Sequence, residues 1–116
     1  MLQLHNMADP CTAQWALDEI GRRFDPETTL GLRATVLLVL SGAQGGAFHI
    51  SLREGKIETR AGRPYASDVQ IEASVDDLCL LLRAELKPYI AFLDSRIRVL
   101  GDGALALRLR PLLGLA

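Results

Sequence analysis

SVDDLCLLLRAELKPYIAFLDSRIRVLGDGALALRLRPLL, residues 74–113, is the stretch whose reading decides the fold. Ser74 stands where a helix N-cap is wanted, and Asp77 follows three residues on, as the partner in a capping box would. Leu78, Leu81 and Leu82 then form the buried stripe of the helix this cap predicts. Pro88 suits the first position of a second, short helix carrying Ile90, Phe92 and Leu93. Ile97 and Val99 alternate as the inward residues of a strand, and Asp102 caps a last helix with Leu105 and Leu109 one turn apart. Pro111 should end or kink that helix, because it lacks an N–H and crowds the preceding turn. Almost nothing in this span is chemically reactive, and most of it is apolar.

Upstream, the pattern changes to strands. Thr35–Ser41 is a continuous β-branched and Leu run, as expected of a strand buried on both faces. Ala47–Arg53 alternates, with Phe48, Ile50 and Leu52 on one side and His49, Ser51 and Arg53 on the other. Glu54-Gly55 is a tight hairpin turn, from which Lys56–Arg60 returns as a short third strand. Asp68–Ala73 alternates again, with Val69, Ile71 and Ala73 facing in. Further upstream, Asp9-Pro10 reads as a helix start, followed by Ala13, Ala16, Leu17, Ile20 and Phe24 on one face. The elements predict an α+β domain: a five-stranded, largely antiparallel sheet with one face covered by helices. One domain over residues 1–116 is expected, with 1–8 expected to fray.

Composition narrows the function. The chain is 49% hydrophobic but only 5% aromatic, so its apolar material is aliphatic. A net charge of −1 gives no footprint for nucleic acid. The longest apolar run, Val36 to Leu40, is too short to cross a bilayer, and residues 1–9 lack the basic start and apolar run of a secretory signal. The C-terminal Leu113-Gly-Leu-Ala116 is not a peroxisomal signal. A cytoplasmic location is expected.

Few residues suggest catalysis, and no catalytic, metal or cofactor site is expected. His49 lies on the polar side of its strand without a second ligand at metal spacing. Asp76 and Asp77 sit in a first helical turn, where negative charge favours the helix dipole. The glycines of 42–46 join two strands and offer no helix N-terminus to an anion. At Gly101-Asp102-Gly103 the carboxylate itself occupies the donor site. Cys11 and Cys79 have no metal or redox spacing; two free thiols are expected, and one disulfide stays open.

From about Ala34 to Leu113 the chain resembles the sterol carrier protein 2 family, in its bacterial members. The resemblance is carried by the strand ending in Ser41-Gly42, the hairpin Ile50-Ser-Leu-Arg-Glu-Gly55, and Ser67-Asp68-Val-Gln-Ile71. Leu86-Lys-Pro88 with Ala91-Phe92 and Ile97-Arg-Val-Leu-Gly-Asp102 complete it. No single piece is specific; their order and spacing together are. The chain departs from the pattern at Ala84 and Ser95, where the family often has Gly, so the helix-end geometry is expected to differ. It departs again at Leu37 and Val39, where the family tends to be polar.

The resemblance implies helices over one sheet face and an apolar tunnel between, holding an elongated apolar ligand such as a fatty acyl chain, a sterol-like or an isoprenoid lipid. From the residues alone a solid core fits as well. The expected lining is Val36, Leu38, Phe48, Ile50, Leu52 and Ile71 on the sheet. Leu78, Leu82, Phe92, Leu105, Leu109 and Leu112 complete it from the helices. The C-terminal helix is the expected gate, as few contacts should hold it. His49, Ser51, Arg53, Gln70, Glu72, Arg96 and Arg98 should point out from the open face, around an apolar spot of Leu37 and Val39. The partners expected are a lipid or other apolar small molecule, a transient membrane contact and a homodimer through that spot. The alternative is an interaction module of a lipid-related pathway, such as a quinone-synthesis accessory factor, with no ligand of its own.

Overall fold

The computed structural model describes residues 11–27 and 29–115. Helix α1 (Ala13–Arg23) precedes strands β1 (Ala34–Ser41), β2 (Gly46–Arg53), β3 (Lys56–Ala61) and β4 (Val69–Ser74). Helices α2 (Val75–Leu82) and α3 (Pro88–Leu93), strand β5 (Ile97–Gly101) and helix α4 (Gly103–Arg108) follow. The sheet is mixed, in the order β3-β2-β1-β4-β5. Only β1 and β4 run parallel; the other neighbours are antiparallel.

Register places the aliphatic side chains in rows. Leu38 of β1 stands between Phe48 of β2 and Ile71 of β4, and Ile71 faces Val99 of β5. Val36 likewise stands between Ile50 and Val69. These rows face the helices. The other face carries His49, Ser51 and Arg53 on β2, Gln70 and Glu72 on β4, and Arg98 on β5, where Arg98 and Glu72 pair at 3.0 Å. Arg96 precedes β5, and its guanidinium reaches Asp77 of α2 at 2.6 Å.

Local caps follow the sequence with adjustments. Ser74 accepts from the Asp77 N–H at 2.9 Å, but the Asp77 carboxylate takes two bonds from Arg96 rather than closing a capping box. Asp102 accepts from the Leu105 N–H at 3.0 Å. Helix α1 is capped by Thr12, which accepts from the Trp15 N–H at 3.0 Å; Asp9-Pro10 lies outside the described residues. Arg23 pairs with Glu19 within α1 at 3.0 Å and holds α1 to α2 by donating to the Leu82 carbonyl. The Arg83 guanidinium stacks 4.5 Å from the Trp15 ring, a second clip between the two helices.

Two further expectations fail. The first is that Ala84 and Ser95 would give a different geometry from glycine. Both take the left-handed backbone that glycine prefers, at φ 61° and 56°. Each sits at the end of a helix in a Schellman arrangement: Glu85 N–H donates to Leu80 O and Arg96 N–H to Ala91 O, both at 2.8 Å. The left-handed conformation strains any residue with a Cβ.

The second is that few contacts hold the C-terminus. Helix α4 ends at Arg108, and the tail turns back under the helices with Leu109, Leu112, Leu113 and Leu115 buried. At Gly114, φ is +75°, and a Cβ would stand 2.9 Å from the Leu81 carbonyl, so the tail crosses α2 backbone against backbone. The tail is a core element because burying its leucines removes apolar surface from water.

Ala84→Gly and Ser95→Gly are each expected to raise stability by about 1 kcal/mol, read by urea denaturation. Gly114→Ala should cost roughly 2–3 kcal/mol. Deleting residues 112–116 should lower the melting temperature sharply, because it removes three buried leucines.

Candidate functional site

The twelve residues expected to line a cavity fall into two groups. Val36, Leu38, Ile50, Leu52, Ile71, Leu78, Leu82, Leu109 and Leu112 are buried and belong to one continuous core, with Phe48 and Leu105 packed against it and partly exposed. Phe92 is apart: it is 47% exposed on α3. The sheet and helix residues thus meet, as core neighbours rather than as the walls of an open tunnel.

An apolar groove of about 410 Å³ opens beside that core. Pro88, Tyr89 and Phe92 of α3 form one wall, and Gly103, Ala106 and Leu107 of α4 the other. Val99 of β5 lies at its floor, with Arg110 and Leu115 at the tail end. Val99 is the register partner of Ile71, so the floor adjoins the sheet row that runs through Leu38. Tyr89, Phe92 and Leu107 are all exposed around this groove, although burying each would be favourable by about 1.5–3 kcal/mol. Lys87, Arg108 and Arg110 stand next to them along the chain, as do Glu85 and Asp94. A smaller slot of about 190 Å³ lies on the other side of Pro88, bounded by Leu81, Leu86 and Pro111, with Arg23 and Lys87 at its rim.

Sequence reasoning named Phe92 and missed Tyr89, Val99, Ala106, Leu107 and Leu115. The signal available was apolar residues off the buried helical stripe: Tyr89 and Leu107 stand where solvated helix faces carry polar side chains.

On the open sheet face Leu37 is only 5% exposed and lies outside the helix-side core. Val39 beside it is half-buried, and Leu100, in register with Gln70, is exposed.

Chemistry is sparse. His49 Nδ1 lies 2.8 Å from the Gly62 carbonyl oxygen, which occupies that ring nitrogen. Asp68 accepts from the Thr35 N–H at 2.8 Å. Among the described residues no group of three His, Cys, Asp or Glu is placed to hold a metal, and no helix is long and apolar enough to cross a membrane.

Fold and groove define a small α+β domain with one helix-covered sheet face and an apolar surface opening. A model of the SCP-2 sterol transfer family matches residues 17–114, and the chain belongs to that family. Hydroxysteroid dehydrogenase-like protein 2 of Xenopus tropicalis is 32% identical over 77 residues, 66% of this chain and 18% of that protein. The human protein of that name is 30% identical over 82 residues, 70% and 20% of the respective chains. The chain thus spans about a fifth of the length of these curated relatives. Among solved structures, palmitated SCP2L2 from Aedes aegypti superimposes with a TM-score of 0.71 at 20% identity, covering 88% of this chain and 94% of that one. A double mutant of the sec-alkyl sulfatase PisA1 gives 0.73 at 23% identity, covering 90% and 16%. At such identities the likeness is one of fold.

Proposed function

We propose that this domain binds and carries an elongated apolar ligand, a fatty acyl chain, sterol-like or isoprenoid lipid, without catalysing a reaction on it. The observation that carries the reading is the groove between α3 and α4, whose wall and floor residues are apolar and whose floor residue Val99 adjoins the aliphatic core through Ile71. In this reading the groove is the mouth, and the core residues around Leu38, Ile71, Leu109 and Leu112 are the inner lining, which parts to admit the chain. Membership of the SCP-2 family and the fold shared with a palmitated relative support it.

The exposed Tyr89 and Leu107 at the rim, with Lys87, Arg108 and Arg110 beside them, suit a transient contact with a lipid surface, where aromatic and basic side chains are stabilised. A cytoplasmic setting fits such a carrier. Where the chain works beside a larger enzyme, as in the longer relatives, the domain would present the lipid to it.

Native mass spectrometry of the purified protein should reveal a retained lipid. Phe92→Asp should weaken binding of a fluorescent fatty acid at least tenfold while leaving the urea midpoint nearly unchanged, since Phe92 is about half exposed. Unchanged affinity would move the mouth elsewhere. Leu109→Glu is a poorer probe: an unpaired carboxylate at this core position should unfold the domain.

A second reading is favoured by Val39, half-buried beside the buried Leu37 at the centre of the sheet face that no described helix covers. Here the domain forms a two-fold dimer through that face and serves as an interaction module in a lipid-related pathway, with Arg98 and Glu72 at the rim. Sedimentation equilibrium decides it: the wild type should dimerise at micromolar concentration, and Val39→Asp should be a folded monomer. A wild type that stays monomeric ends this reading.

A further inference from the structure

Two thiols, far apart in sequence, meet away from the groove. Cys11 precedes α1 and Cys79 lies within α2; both are free. Each donates to the other's segment. Cys11 Sγ lies 3.7 Å from the Val75 carbonyl oxygen and 3.8 Å from that of Asp76, and Cys79 Sγ lies 3.7 Å from that of Thr12. Cys79 is fully buried, whereas Cys11 is partly open to solvent.

We propose that Cys11 and Cys79 form an oxidisable pair, which a small-molecule disulfide converts into an internal disulfide stapling the start of α1 to α2. The first step falls to Cys11, the partner that solvent reaches. Its thiolate attacks one sulfur of the small disulfide, that S–S bond breaks, and one small thiolate leaves. Cys79 then gives its proton to buffer base and attacks Cys11 Sγ, and the second small thiolate leaves. The two protein thiols lose two electrons and two protons, and the small disulfide becomes two thiols.

The second step limits the rate. Burial, and after it the Cys11 thiol, push the Cys79 thiol up to about 12; Asp76 adds to this and Arg83 opposes it. Closure therefore quickens as pH rises and more of Cys79 is thiolate. A link between such distant positions restricts the unfolded chain over a long loop. It also fixes α1 to the helix that carries Leu78 and Leu82. Resting on the carrier reading proposed above, a further consequence follows: with that layer stapled, a bound lipid leaves more slowly.

The test uses the full chain in buffers of reduced and oxidised glutathione, quenched in acid, treated with maleimide and weighed intact. The expected product under oxidising conditions is a monomer lighter by two hydrogen atoms that takes up no maleimide and yields a peptide joining Cys11 to Cys79. Its melting temperature should rise by roughly 10 °C, and release of a bound fluorescent fatty acid should slow several-fold. Cys11→Ser, at the more exposed partner, should abolish all three changes, and Cys79→Ala should leave only a glutathione adduct on Cys11. A wild-type chain that ends as that adduct, or keeps two alkylatable thiols, overturns the proposal. A staple that forms without slowing release overturns its effect on the site. A staple that forms in a protein binding no fatty acid in either state leaves the pair standing and removes the carrier reading.

Discussion

The parallel pairing of β1 with β4 is the constraint on which the rest of the molecule depends. It places Val36 against Val69, Leu38 against Ile71 and Leu40 against Ala73, so the aliphatic rows of two strands distant in sequence become one surface. Side chain and backbone fix its register together. The Asp68 carboxylate accepts from the Thr35 N–H, and the Thr35 carbonyl accepts from the Asp68 N–H, both at 2.8 Å. A slip of one residue would turn every inward side chain of β4 to the open face. With the register set, β2 and β3 add as a hairpin on one side and β5 closes the other.

That surface dictates what lies above it. The sheet's helix-side face is aliphatic from Ile57 on β3 to Val99 on β5, wider than any one short helix can cover. Helices α1 and α2 cover part of it, locked together by Arg23 and by the stack of Arg83 on Trp15. The tail from Leu109 to Leu115 covers more. Between α3 and α4 the cover is incomplete, and the groove with its exposed Tyr89 and Leu107 is the remainder. The apolar ligand proposed above would complete that cover.

The helix ends show how a fold tolerates local misfit. At Ala84 and Ser95 the chain adopts a backbone better suited to glycine, because the flanking elements require a sharp turn at each point. Helix α2 must hand over to Leu86 and Pro88, and α3 must turn directly into β5. Tertiary packing outweighs about 1 kcal/mol of local strain at each site.

The sequence by itself determined the elements and their faces. Strict alternation in Ala47–Arg53 and Asp68–Ala73, the caps Ser74 and Asp102, and the leucine stripe of α2 are short-range signals, and short-range geometry follows from them. It also placed Leu37 and Val39 on the face away from the helices, since period-two alternation leaves no other side. Only the tertiary structure decided the parallel partner of β1, because strand pairing across a long connection leaves no local mark. It likewise decided that the tail is buried, which rests on Gly114 meeting the α2 backbone, and that the groove opens at Tyr89, Val99 and Leu107. Such a gap depends on how two short helices are set over a sheet, a relation between distant surfaces that no run of neighbouring residues encodes.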